Sequence, residues 1–159
     1  MEQIKSFTVD HIKLDRGLYV SRVDKVGDEC VTTFDIRMTK PNVMEVLSTG
    51  IIHAIEHLGA TFLRNDIEYA QKVVYFGPMG CRTGFYLILA GEYESKDILQ
   101  LMIRMYEFIS DFEGEIPGAT KECCGNYSDM DKTGAKKEAS RYLKEVLTDI
   151  PYERLNYPE

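Results

Sequence analysis

The stretch STGIIHAIEHLGATFLRN, residues 48–65, narrows the choice of folds more than any other part of this 159-residue chain. Ile51, Ile55, Leu58 and Phe62 recur at steps of four, three and four, which draws one apolar stripe along a helix. Ser48 or Thr49 is the expected N-cap, since a hydroxyl accepts from the orphan amides of the first turn. Such a helix must lay its stripe on an apolar surface, and short β-branched segments supply one. Residues 30–38, CVTTFDIRM, read as a strand ended by Lys40-Pro41-Asn42, and residues 72–76 as a second strand followed by a turn at 77–80. Residues 85–93 read as a third. Ser95 is the expected cap of a second helix, with Asp97 in its first turn and a stripe of Ile98, Leu101, Met102, Met105, Phe108, Ile109 and Phe112. Residues 113–124, broken by Pro117 and Gly118, connect to a last helix over 135–148, with Ala139, Tyr142, Leu143, Val146 and Leu147 inward. Strands met separately from long amphipathic helices predict an α+β fold, an antiparallel β-sheet with helices packed on one face. No repeat or linker interrupts the chain, so residues 1–159 are expected to form a single domain.

Composition removes several classes of function. No apolar run approaches the ~18 residues that span a bilayer, so no membrane role is expected. The first residues, MEQIKSFTVDH, carry charges where a secretory signal needs an apolar stretch, which points to a cytoplasmic protein. The net charge of −7 argues against binding nucleic acid through its phosphates. Lys136, Lys137 and Lys144 on the last helix are interleaved with Glu138 and Glu145 and read as a solvated face. The four cysteines, Cys30, Cys81, Cys123 and Cys124, are then expected to be thiols rather than disulfides.

Two of the three histidines, His53 and His57, lie four residues apart on the first helix. Both imidazoles therefore leave the same face about one turn apart, where two nitrogens can converge on one metal at ~2.0–2.1 Å. Glu56 lies near that face and can serve as a base or orient a ligand. The plainer reading is an exposed helix with two ordinary histidines. Two imidazoles and a carboxylate buried in an apolar helix would, however, be costly unless paired or coordinated. A catalytic metal needs a third protein ligand and an open position. Cys123 or Cys124, in the Gly-bearing turn KECCGNY, is the leading candidate, and both remain open on spacing alone. Two imidazoles and a thiolate suit Zn²⁺, Fe²⁺ or Co²⁺. Cys81, following the turn GPMG, is either an accessible reactive thiol or a core residue; Cys30 is expected in the core.

Taken together, SFTVDH (6–11), FDIR (34–37), HAIEHL (53–58), GPMGCRTGFYL (77–87) and ECCGN (122–126) carry a wider resemblance. The chain resembles, over nearly its whole length, the S-ribosylhomocysteine lyase family, the LuxS-type synthases of the autoinducer-2 precursor. The resemblance implies a homodimer with metal sites at the subunit interface, one divalent metal per subunit, Fe(II) expected, with Zn or Co as substitutes. It maps the metal ligands onto His53, His57 and Cys124, and the acid/base pair onto Glu56 and Cys81. Ser6, His11 and Arg37 match substrate-pocket positions, the N-terminal segment coming from the partner subunit. The implied reaction converts S-ribosylhomocysteine to homocysteine and 4,5-dihydroxy-2,3-pentanedione by carbonyl migration and β-elimination of the thioether. One position departs from the pattern: Tyr75 stands three residues before the Pro of PMGC, where the family commonly has an acid. Two alternatives compete, a metallopeptidase of the H-x-x-E-H type and a non-catalytic module stabilised by a closed metal site.

Overall fold

The computed structural model describes residues 8–158. Strands β1 (Gly17–Val26), β2 (Glu29–Arg37), β3 (Val73–Pro78) and β4 (Gly84–Ala90) form, among these residues, one antiparallel sheet in the order β1-β2-β4-β3. Helices α1 (Thr49–Asn65), α2 (Leu99–Asp111) and α3 (Lys132–Tyr142) share a core with one of its faces, so the α+β expectation holds. No helix among the described residues is long and apolar enough to cross a membrane.

The two sheet faces differ in kind because successive side chains alternate. Phe34 and Ile36 of β2 sit opposite Leu87 and Phe85 of β4, and all four are fully buried in a core with Ile55 and Leu58 of α1 and Met102 and Met105 of α2. Each such side chain stabilises the fold by about 1.5–3 kcal/mol relative to an exposed one. The opposite face sets Thr33, Asp35 and Arg37 against Ile88, Tyr86 and Gly84. A methyl group on Gly84 would collide with the Ile36 carbonyl, so glycine is required there for the strands to approach.

Several boundaries differ from the sequence reading, each for a local reason. Strand β1 was not expected: a register shift between Val20 and Arg22 breaks its alternation halfway along. β3 continues through Pro78, which pairs with Phe85, so the turn lies later, with Arg82 N donating to Met79 O at 2.9 Å. β4 stops at Ala90 because Gly91 adopts a φ of 112°, turning the chain. Ser48 caps α1 as expected, its Oγ accepting from Ile51 N at 3.3 Å. Ser95 does not cap the second helix. Its buried hydroxyl donates to Leu155 O at 2.8 Å and accepts from Val20 N at 3.0 Å, while Asp97 Oδ2 accepts from Glu94 N at 2.7 Å. Asp131 starts α3 earlier than expected by accepting from Gly134 N at 2.8 Å, and α3 ends in a π turn, Leu143–Leu147. Cys30 is only half-buried, paired with Lys25 near the end of the β1–β2 hairpin, and is not a core residue.

The last turn of α1 reaches the outer strand β3. Arg64 Nη1 donates to Val73 O at 2.8 Å and Nη2 to Val74 O at 3.3 Å. Next to it, Asp66 Oδ1 accepts from Glu68 N and Tyr69 N, both at 3.0 Å, and Oδ2 from Arg104 at 2.7 Å. Burial pushes this carboxyl up, but those hydrogen bonds outweigh it and hold it below its ordinary value. A carboxyl depressed in the folded state stabilises above its unfolded value and loses that contribution as pH falls through the folded one. Asp66→Ala is therefore expected to cost about 1 kcal/mol at neutral pH, or roughly 3 °C in Tm. The deficit should shrink in acid, which calorimetry at neutral and acidic pH would read; an unchanged Tm would contradict the capping role.

Candidate active site

Helix α1 carries His53 and His57 off the edge of its buried stripe, so both imidazoles, and Glu56 beside them, are half-buried rather than enclosed. Their rings lie 4.9 Å apart, centroid to centroid. The third element is the connection after α2. There Cys124 N and Cys123 N both donate to Thr120 O, at 2.9 and 3.1 Å, closing a tight turn. That turn puts Cys124 Sγ 3.3 Å from His53 Nε2 and leaves Cys123 exposed. The ligand atoms of His53, His57 and Cys124 all lie within 4.8 Å of one another.

The donor chemistry fits a metal ion. Tetrahedral coordination at ordinary Zn–S and Zn–N lengths separates sulfur from nitrogen by about 3.5 Å, close to the spacing found. His57 Nδ1 lies 2.8 Å from the Pro117 carbonyl, which can only accept, so Nδ1 carries the proton and Nε2 keeps its lone pair free for a cation. Gly118 makes room for this contact: its φ is 74°, and a Cβ there would sit 3.3 Å from His57 Nδ1. Pro117 and Gly118, read from sequence as helix breakers, thus also set the orientation of a histidine.

A second group gathers on the far face of the sheet. Cys81 is not a core residue but sits exposed in the β3–β4 turn. Its Sγ lies 3.1 Å from Thr83 Oγ1 and 3.8 Å from Arg37 Nη1. Arg37 Nη1 also donates to Thr83 Oγ1 at 2.6 Å, while Nε and Nη2 engage Asp35 at 3.0 and 2.5 Å. The Arg37 and Asp35 side chains are 4% and 1% exposed, so the pair is dry. Burial alone would push the guanidinium down, but the charge and hydrogen bonds of Asp35, aided by Cys81 and Tyr157, raise it above its ordinary value. It is therefore a permanent cation beside the sulfur.

The other expected site residues are less connected. His11 is half-buried, its Nδ1 donating to Val9 O at 2.8 Å within its own turn. Ser6 lies outside the described residues. Tyr75 is 47% exposed on the far face of the sheet, paired with Ile88 and with its ring over Gly77. Asp35 and Thr83 were missed by the sequence reading, although an acid two residues before Arg37 on a strand shares its face.

These features define a class: an α+β chain that brings two helical imidazoles and a loop thiol together as an N₂S donor set, with a cation-flanked cysteine in a turn beside the sheet. The profile of S-Ribosylhomocysteinase (LuxS) matches residues 4–153. The S-ribosylhomocysteine lyase of Clostridium acetobutylicum is 58% identical over 159 residues, 100% of both chains. That of Clostridium beijerinckii is 56% identical over 158 residues, 99% of each, and that of Borreliella afzelii 50% identical over 158 residues, 99% of this chain and 100% of its own. The chain belongs to the S-ribosylhomocysteinase (LuxS) family.

The geometry separates the adjacent cysteines. Cys124→Ser and His57→Ala should each weaken Co²⁺ binding by more than about 100-fold, followed by the visible absorption of the bound ion, while Cys123→Ser binds as the parent does. Loss of binding in Cys123→Ser with retention in Cys124→Ser would reverse the assignment.

Proposed function

We propose that this chain is a metal-dependent S-ribosylhomocysteine lyase that releases homocysteine and 4,5-dihydroxy-2,3-pentanedione. The observation that carries the reading is the convergence of His53, His57 and Cys124 in a member of this family. Among the described residues this group holds three donors rather than four, which favours an open catalytic site over a closed structural one. The full-length matches to lyases speak against the metallopeptidase alternative. The donor set suits Fe(II), the expected metal, and would also take Zn or Co.

The chemistry follows from where the substrate carbonyl starts. The thioether carbon of S-ribosylhomocysteine is too far from the aldose carbonyl for elimination, so the carbonyl must move down the sugar by successive proton shifts until the C–S bond lies β to it. A metal held by His53, His57 and Cys124 would supply Lewis-acid polarisation of the carbonyl. The chain's own task is then to carry protons between neighbouring carbons. Cys81, with the Arg37 cation at 3.8 Å, serves as one base, and Glu56, half-exposed on the helix that bears both histidines, as the other. Arg37, together with Ser6 and His11 from the partner's N-terminal segment, is assigned to the substrate. If the acid usual at this position holds the ammonium of the homocysteine moiety, another group must do so here, because Tyr75 offers no carboxylate.

A homodimer fits the far face of the sheet, where Tyr75, Tyr86 and Ile88 remain partly uncovered around a shallow depression. A single domain over residues 1–159 and a cytoplasmic setting complete the reading. Ile88→Asp is expected to convert a dimer to a folded monomer in sedimentation and to abolish thiol release; a wild-type monomer with full activity would remove the dimer from the proposal. Cys81→Ala is expected to keep its metal yet release homocysteine roughly 10²–10⁴-fold more slowly, measured as free thiol. Wild-type thiol release by that variant would take Cys81 out of the chemistry.

A further inference from the structure

The carboxyl-terminal residues lie beyond the family match, which ends at residue 153, yet they reach the ion pair behind Cys81. Tyr157 donates its hydroxyl to Asp35 Oδ2 at 2.8 Å. Its ring stacks on Tyr19 of β1 at a centroid distance of 4.9 Å and 20° between planes. The approach to Tyr157 is pinned at two further points. Leu155 O accepts from the buried Ser95 hydroxyl at 2.8 Å, and Arg154 Nη2 lies 3.4 Å from Asp15 Oδ2. The placement of this phenol therefore rests on several independent contacts.

Asp35 Oδ2 is shared between Arg37 Nη2 and the Tyr157 hydroxyl, while Oδ1 takes Arg37 Nε. A carboxylate with both oxygens engaged cannot swivel, and the guanidinium fork it holds is fixed in turn. The remaining arm of that fork, Nη1, reaches Thr83 Oγ1 and Cys81 Sγ. An unbroken run of contacts thus connects residue 157 to the thiol. Burial and the Asp35 charge push the Tyr157 hydroxyl well up from its ordinary value, so it stays a donor. The charged and titratable groups of this assembly are Arg37 and Asp35 on β2, Tyr19 on β1, Cys81 in the β3–β4 turn, Tyr86 on β4 and Tyr157 on the tail, with Asp15 and Arg154 facing Tyr19.

We propose that Tyr157 is a positioning residue of the lyase site, acting through Asp35 to hold the Arg37 guanidinium against Thr83 and Cys81. The proposal rests on the reading of Cys81 as a proton-transferring thiol. It places a determinant of reactivity at residue 157, far along the chain from Cys81.

The test uses the full-length, metal-loaded protein and its Tyr157→Phe and Tyr157→Leu variants. Alkylation of Cys81 by iodoacetamide is followed across pH by peptide mass spectrometry, with Cys30 as internal reference, alongside kcat/KM for thiol release from S-ribosylhomocysteine. Tyr157→Phe keeps the stacked ring, so circular dichroism and metal content should match the parent. Its Cys81 profile should move to higher pH while that of Cys30 stays, and kcat/KM should fall about tenfold. Tyr157→Leu should show at least the same displacement. A Tyr157→Phe profile superimposed on the parent's overturns the proposal, including the case where only Tyr157→Leu differs, which would leave ring packing alone. The alkylation arm does not depend on turnover. A displaced profile in a protein that releases no thiol would uphold the coupling and sink the lyase reading, whereas an active protein with an unmoved profile would do the reverse.

Discussion

Asp35 and Arg37 face each other in the dry interior of one strand, and much of the far side of the sheet is organised around completing that pair. An ion pair removed from water stabilises only if its remaining hydrogen-bonding capacity is filled; otherwise desolvation outweighs attraction. Here Thr83 takes the spare guanidinium arm and Tyr157 the spare carboxylate position. The β2–β4 register makes this possible by setting Arg37 opposite Gly84, one residue from Thr83 and three from Cys81. A shift of that register by one residue would turn Asp35 and Arg37 toward the helices and put Phe34 and Ile36 on the other side.

The imidazole pair and the loop thiol come together by a different route. α1 provides rigidity and spacing, while the connection after α2 provides reach. What joins them is a set of short backbone contacts: Pro117 O to His57, Thr120 O to the two cysteine amides, and Asp131 N to Gly50 O at the start of α1. The last of these fixes the far end of the loop to the same helix that carries the histidines. The loop is thus held at both ends by α1, which limits how far Cys124 can drift from His53.

Residues whose roles follow from spacing within one element were legible in the sequence. The i,i+4 histidines, the Ser48 cap and the apolar stripes of α1 and α2 belong here, because helical periodicity converts sequence distance directly into shared direction. Choices between neighbours in a turn were not legible from spacing, and the family resemblance alone singled out Cys124. Cys123 and Cys124 differ by one position, and only the turn at Thr120 decides which sulfur faces inward. β1 was hidden by its bulge, and Ser95 looked like a cap because its buried partners, Val20 and Leu155, are distant in sequence. Nothing local marks Tyr157 as a partner of Asp35; that contact spans 122 positions.

Arg64, reaching from the end of α1 to two carbonyls of β3, has a consequence for the molecule among its own kind. An outer strand with free carbonyls invites a stranger's strand to zip alongside, the first step toward fibrillar stacking. With the guanidinium seated on Val73 and Val74, that margin is chemically occupied at two rungs. Fewer open positions therefore remain along this edge of the sheet for a second copy of the chain to pair with.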